Sequence, residues 1–302
     1  MPIDNILIKK PHTRQQYTEY QLQEIMKCTN PKTGYLHFMK NYFYIQHPTK
    51  GKLKFEPFDY QLELLHGYHN YRQSCNMLGR QLGKTTCAAG YLLWFAMFND
   101  NQTILIAAHK FSGSQEIMHR VRYAYECCPD FIRAGAVSYN KGSIDFDNGT
   151  RIISTTTTEN TGRGLSVSLL YLDEFSSVLP SIATEFWTSI SPTLSTGGKA
   201  IITSTPNNDD DVFATIWKDA LDRFDEHGNE QDVGKNGFYA YMATWERHPD
   251  RDEAWANAEI SKMGLSFFSR EHNCLVHQTM VNIMDDDGNT FEISIGDLYN
   301  LL

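Results

Sequence analysis

The sequence predicts an α/β fold built on a mainly parallel sheet covered on both faces. From Tyr60 onward, short apolar runs alternate with helical stretches, the order that gives parallel strands joined by crossover helices. SCNML precedes a glycine loop and the helical KTTCAAGYLLWFAMF, and TILIAA precedes SQEIMHRVRYAYECC. SLLYLDEF precedes a helix opening at Pro180, and KAIITST precedes the polar PNNDDD. Within this series SIDF and RIIST flank DNGT, a hairpin signal.

The remaining elements are appendages to that series. Residues 15–29 read as a helix followed by the turn NPKTG, and residues 41–58 as aromatic and extended. Residues 236–273 read as helical and charged, with Trp245 and Trp255 available for packing. A chain of 302 residues that is 41% hydrophobic and 13% aromatic has enough apolar mass for a full core, in one large domain with appendages or in two. The N-terminus is polar and broken by prolines, unlike a signal peptide. The longest apolar run, Ala88 to Phe98, is interrupted by Gly90 and is too short to span a bilayer. A soluble protein, neither secreted nor membrane-bound, is expected.

The six cysteines are scattered, without the pairing that marks a metal site, as suits a reducing cytoplasm. His66 and His69 lie three apart but lack a second ligand pair. The net charge of −9 argues against a chain-wide basic surface for nucleic acid and leaves room for a local one.

The strongest motif is Gly79-Arg80-Gln81-Leu82-Gly83-Lys84-Thr85, between a short apolar strand and a helix. In such a P-loop, backbone N–H groups and the helix N-terminus hold phosphates. Lys84 would reach the β and γ phosphates of ATP, and the Thr85 hydroxyl would bind Mg²⁺. The usual pattern places glycine five residues before Gly83, where this chain has Leu78; Gly79 comes one place late.

The apolar run Leu169 to Leu172 ends in Asp173-Glu174. Two carboxylates at the end of a core strand are costly unless a metal or water uses them, and ligands in open α/β sheets bind at those ends. Asp173 would hold Mg²⁺ and Glu174 would polarise the attacking water. Transition-state charge calls for a further cation; Arg80 in the loop and Arg163 in the glycine-flanked TGRG are both candidates, against surface ion pairs as the plain alternative. Gln61, in FDYQ, could hydrogen-bond adenine beside an aromatic; on its own the stretch reads as a helix start capped by Asp59. Thr203, Ser204 and Thr205 put hydroxyls at another strand end, either to sense the γ-phosphate or merely to end the strand.

FDYQ, GRQLGKT, TGRG, LLYLDEF, IITSTPN and TWERHPDRDE, in that order from about Phe55 to Cys274, resemble the ATPase domain of the large terminase subunit of tailed bacteriophages. The late glycine is a feature such terminases share. The resemblance implies a RecA-like sheet over residues 55–215, with a small helical second subdomain from residues 1–54 and 216–273. It assigns Gln61 to the adenine motif, Arg80 or Arg163 to the arginine finger, and Thr203 to Thr205 to coupling. It implies ATP and Mg²⁺ as cofactors. The implied partners are double-stranded DNA, the portal or prohead and the small terminase subunit, in a homo-oligomeric ring. The implied location is the host cytoplasm, transiently at the prohead portal. The competing readings are a helicase-like or recombination ATPase and a nucleotide-binding regulatory subunit without turnover.

Residues 274–302 follow a different pattern. TMVNIM and TFEISI flank DDDGN as a hairpin; a piece this small lies below the roughly 40 residues needed for a core of its own. The acids Asp285 to Asp287 read as a solvated turn, without the glutamate an EF-hand needs. The opening Cys-Leu, Thr279, the hairpin and GDLY resemble the N-terminal piece of a split intein. That resemblance implies that Cys274 attacks the Asn273 carbonyl to form a thioester. A partner polypeptide would carry the C-intein and the nuclease domain that terminases have next, so no nuclease is expected in this chain alone. An ordinary truncated end is the alternative.

Overall fold

The computed structural model describes residues 7–195, 197–275, 279–284 and 290–294. The first elements are helices α1 (Glu19–Thr29) and α2 (Gly34–Asn41), then a hairpin of β1 (Tyr44–His47) and β2 (Gly51–Lys54). The helix expected from residue 15 starts at 19 because Thr18 and Gln21 form a reciprocal capping box that satisfies donors at the helix end. Helix α2 was hidden in the turn signal NPKTG.

The main sheet is assembled from α3 (Asp59–Asn70), β3 (Gln73–Leu78), α4 (Lys84–Phe98), β4 (Thr103–Ala108), α5 (Phe111–Cys127), β5 (Ala136–Tyr139), β6 (Ser143–Phe146), β7 (Arg151–Thr156), β8 (Leu169–Asp173), α6 (Pro180–Ile190), β9 (Lys199–Ser204), α7 (Val212–Leu221) and β10 (Tyr239–Ala243). Helices α8 (Glu253–Met263) and α9 (Leu265–His272) follow, then the hairpin β11 (Met280–Met284) and β12 (Thr290–Ser294). The turn Asp285 to Asp287, His277 and GDLY lie outside the described residues.

The eight-stranded sheet runs β10-β3-β9-β8-β4-β7-β6-β5. Its first six strands are parallel, and β6 and β5 extend it antiparallel. Period-two alternation sorts the core. Leu78, Ile104, Ile106, Tyr171 and Ile201 face α3, α4 and α5, whereas Met77, Leu105, Leu170, Leu172 and Ile202 face α6 and α7. Helix α4 is apolar all round, as a helix enclosed by α2, α3 and α5 must be. One element differs from expectation. Tyr239–Ala243, inside the stretch read as helical, pairs with β3 as the sheet's edge strand. Pairing with a distant strand overrode the local reading.

Because the six parallel strands end on one side, Leu78, Ser204, Asp173 and Ala108 reach a common edge. That edge positions the site.

Candidate functional site

The phosphate loop is held from three sides. Gly83 caps α4 at φ 80°, and a Cβ there would lie 2.5 Å from Gln61 Nε2, so both conformation and space demand glycine. Gln61 is buried; its Nε2 donates to the Leu82 carbonyl at 3.1 Å and to Tyr60 Oη at 3.3 Å. Its Oε1 accepts from the Phe58 N–H at 3.1 Å. In this conformation Gln61 shapes the loop and the start of α3, and its amide is committed to them. Asp59 is the first helical residue and not the cap expected of it.

On the outer side, Arg251 donates to the carbonyls of Arg80 and Gln81, each at 3.2 Å, with its guanidinium over Trp255. At the back, the Gly79 N–H donates to the Ala243 carbonyl and the Arg80 N–H to the Glu271 carbonyl. The end of α9 comes so close that a Cβ on Gly79 would meet the His272 carbonyl at 2.7 Å. The Arg80 side chain is exposed and pairs with the Glu271 carboxylate.

Below the loop, β8 and β9 bring the carboxylates together with the hydroxyl run. Lys84 Nζ lies 2.6 Å from Glu174 Oε1. The two form a short, charge-assisted contact. Glu174 sits in the left-handed region, φ 51° and ψ 47°, a strained conformation of the kind that collects at functional sites. Its Oε2 accepts from the N–H and hydroxyl of Thr205, both at 3.3 Å, and from Ser204 Oγ at 3.5 Å. Burial pushes the Glu174 carboxyl up, but Lys84 and Thr205 outweigh it and hold it below its ordinary range.

Asp173 is buried, and its Oδ1 accepts from Tyr171 Oη at 3.0 Å and Thr203 Oγ1 at 3.1 Å. Burial, and then the Glu174 charge, push its pKa up against the opposing effects of Lys84 and the two hydroxyls. Thr85 follows Lys84 as the second residue of α4. Among the described residues no group of three His, Cys, Asp or Glu is placed to enclose a metal.

Two proposed residues make no hydrogen bond to this cluster among the described residues, although Lys84 and Glu174 act on the Cys274 thiol through their charge. Arg163, in a loop turned at Gly162 and Gly164, donates from Nε to Ser189 Oγ of α6 at 3.1 Å. Cys274 is buried behind the loop, its Sγ facing the Ala243 carbonyl at 3.9 Å. Burial pushes its thiol up to about 12.

The family model described as "Terminase large subunit, T4likevirus-type, N-terminal" matches residues 75–294, from β3 through the hairpin β11–β12. The chain belongs to that family.

The solved structures agree with this terminase assignment at the level of the fold. A variant of the Thermus phage P74-26 large terminase ATPase domain is 19% identical, with a TM-score of 0.58 over 73% of this chain and 94% of that one. The HK97 bacteriophage large terminase is 16% identical, with a TM-score of 0.62 over 83% of this chain and 56% of that one. The large terminase of a thermophilic bacteriophage, in complex with ADP, is 12% identical, with a TM-score of 0.57 over 77% of this chain and 56% of that one. The terminase chain thus spans a little over half the length of the latter two. The expected α/β class with its mainly parallel sheet holds. Among the described residues no helix is long and apolar enough to cross a membrane.

Sequence reasoning missed two contributors. Arg251 stood in TWERHPDRDE without a role, and its partners lie 171 and 170 residues away. Tyr171 was taken for one more apolar core residue; the polar hydroxyl inside that run was the available signal.

Proposed function

We propose that this terminase chain is the ATP-hydrolysing motor domain of a phage DNA-packaging machine. The observation that carries the reading is the convergence of Lys84, Asp173, Glu174 and the 203–205 hydroxyls at the sheet edge beside the phosphate loop. Gly79, Arg80, Gln81, Gly83, Lys84 and Thr85 would bind the phosphates, and Gln61 would set the loop beside the base. A γ-phosphate would draw Lys84 away from Glu174, leaving that carboxylate free to orient the attacking water. Lys84 and Thr205 keep the Glu174 carboxylate ionised where it stands, so it can accept a hydrogen bond from the attacking water. Thr203, Ser204 and Thr205, bonded directly to both carboxylates, would pass the change to β9 and the polar segment after it.

Asp173 and Thr85 are the residues that would hold Mg²⁺. Asp173 fits, because its two hydroxyl partners take Oδ1, and among the described residues Oδ2 makes no hydrogen bond. Bound there, Mg²⁺ would neutralise charge developing on the phosphates. The arginine finger is assigned to Arg80 or Arg163. Arg163, exposed and with its side chain bonded to a serine hydroxyl, suits donation to a neighbouring copy in a ring; Arg80 would first have to leave Glu271.

The wider partners proposed are double-stranded DNA, the portal or prohead, and the small terminase subunit, in the host cytoplasm; family membership supports this reading. Residues 55–215 would form the motor core. Residues 1–54 and 216–273, apart from β10, would form the second subdomain. The direct test is phosphate release from ATP by the purified chain, then ATP-dependent DNA uptake by proheads. ADP binding without turnover would leave a regulatory subunit, and unwinding without proheads a helicase-like ATPase.

For residues 274–302 we propose an N-intein fragment that would join residues 1–273 to a separately encoded nuclease domain. The antiparallel pairing of β11 with β12 and the position of Cys274 at the junction support it. The family match through residue 294 favours the rival view that the hairpin belongs to the terminase itself. Mixing the chain with candidate partner fragments, with and without Cys274→Ala, separates the two: ligation that depends on Cys274 supports splicing, and ligation by the Cys274→Ala chain refutes it.

A further inference from the structure

We propose that Tyr171 is a positioning residue for the metal site, aiming the Asp173 carboxylate through a buried hydroxyl relay. The proposal rests on the reading of Asp173 as a Mg²⁺ ligand.

Asn76, Thr203 and Asp173 are in register on the neighbouring strands β3, β9 and β8. Tyr171, two residues before Asp173, shares its sheet face, and its side chain is fully buried against α3 and α4. A phenylalanine would fill the same space. A buried hydroxyl costs free energy unless it is bonded, so the oxygen requires an account. It lies 3.0 Å from Asp173 Oδ1 and 2.9 Å from Thr203 Oγ1, while Thr203 Oγ1 lies 3.1 Å from the same Oδ1.

Two hydroxyl hydrogens serve these three contacts and a longer one from Thr203 Oγ1 to the Leu172 carbonyl at 3.3 Å. Tyr171 Oη can donate to Oδ1 directly, alongside Thr203 or with Thr203 turned to Tyr171 or to Leu172, or it can donate to Thr203 while Thr203 donates to Oδ1. In each of these arrangements Oδ1 is held within the core and the other carboxylate oxygen is turned from it. The strained residue Glu174 follows at once, so a carboxylate free to rotate at 173 would lose its orientation at the point where the chain leaves the sheet. Ligands to a metal are commonly oriented by such outer partners, whose loss costs about 10–100-fold in metal affinity.

The test is Mn²⁺ affinity, read by electron paramagnetic resonance at saturating ADP, for wild type, Tyr171→Phe, Thr203→Val and Asp173→Asn. Expected are weakening of about tenfold in Tyr171→Phe, metal-free ADP affinity unchanged, and weakening in the same direction in Thr203→Val. An unchanged Mn²⁺ affinity in a folded Tyr171→Phe chain overturns the proposal. Should that variant not fold, an unchanged affinity in Thr203→Val does so. An Asp173→Asn chain that still binds Mn²⁺ like wild type overturns the ligand assignment beneath it, which distinguishes the two failures.

Discussion

Lys84 Nζ and Glu174 Oε1 stand 2.6 Å apart, so the lysine of the phosphate loop and the carboxylate proposed to orient water are each other's counter-ion. The lysine ammonium is buried and the carboxylate is about a third exposed. Lys84→Ala would leave Glu174 with its desolvation cost and without its main cation, and would remove a charged donor to phosphate. Charged hydrogen bonds contribute about 1.5–3 kcal/mol, so ATP affinity should fall by roughly ten- to a hundredfold. Titration calorimetry with a non-hydrolysable ATP analogue checks this.

Gly83→Ala should be damaging for two independent reasons. The residue holds φ 80°, and the new methyl would lie 2.5 Å from Gln61 Nε2. Placing alanine at positive φ costs about 1–2 kcal/mol, and displacing Gln61 breaks its bond to the Leu82 carbonyl. Expected are a lower urea midpoint and loss of ADP binding, measured on the same preparation.

Glu24 couples α1 to α2 and makes a pH prediction. Hydrogen bonds from Lys27, then Tyr42 and His37, hold its carboxyl at about 2 against the opposing effect of burial. A depressed folded pKa gives stability that is fully present above the ordinary value of 4.5 and lost as pH falls towards 2. Glu24→Gln should lower stability at pH 7 and flatten its decline across that window. Thermal melts from pH 7 to 3 report both.

The Cys274 thiol, pushed up to about 12 by burial, should be unreactive in this conformation. Thiolate is the attacking species and a free cysteine titrates near 8.5, so alkylation at pH 8 should be roughly a thousandfold slower than for an exposed thiol. Mass spectrometry of iodoacetamide-treated protein locates the adducts. The native chain should label slowly at Cys274, and labelling there at the rate of an exposed cysteine would contradict the burial.

How much of this was legible in the sequence depended on the range of the interactions. The strand–loop–helix around Lys84 and the apolar run ending in Asp173-Glu174 are local patterns, and the residues fall where those patterns place them. The Thr203 to Thr205 hydroxyls were visible as a run, but their bonds to both carboxylates required β9 to lie beside β8. Gln61 was read as a possible adenine ligand; its amide is used on Leu82 and Phe58, a contact that only the packing of α3 on the loop reveals. Strand β10 was lost because YAYMA alternates weakly, its burial running half, half, buried, exposed, buried, and its pairing partner β3 is far along the chain. Arg251 reaches the loop from an equally distant segment. Arg163 shows the converse, a conspicuous residue whose side chain bonds Ser189 and none of the phosphate-loop or carboxylate residues among those described.

The account centres on Glu174 as the group that orients water, and phosphate release by Glu174→Gln tests it most directly. The substitution keeps the shape and removes the charge. Loss of a general base costs typically 10²–10⁴-fold, so turnover should fall by about that factor while ADP and ATP-analogue affinities are retained. A Glu174→Gln chain that releases phosphate at the wild-type rate would contradict the account.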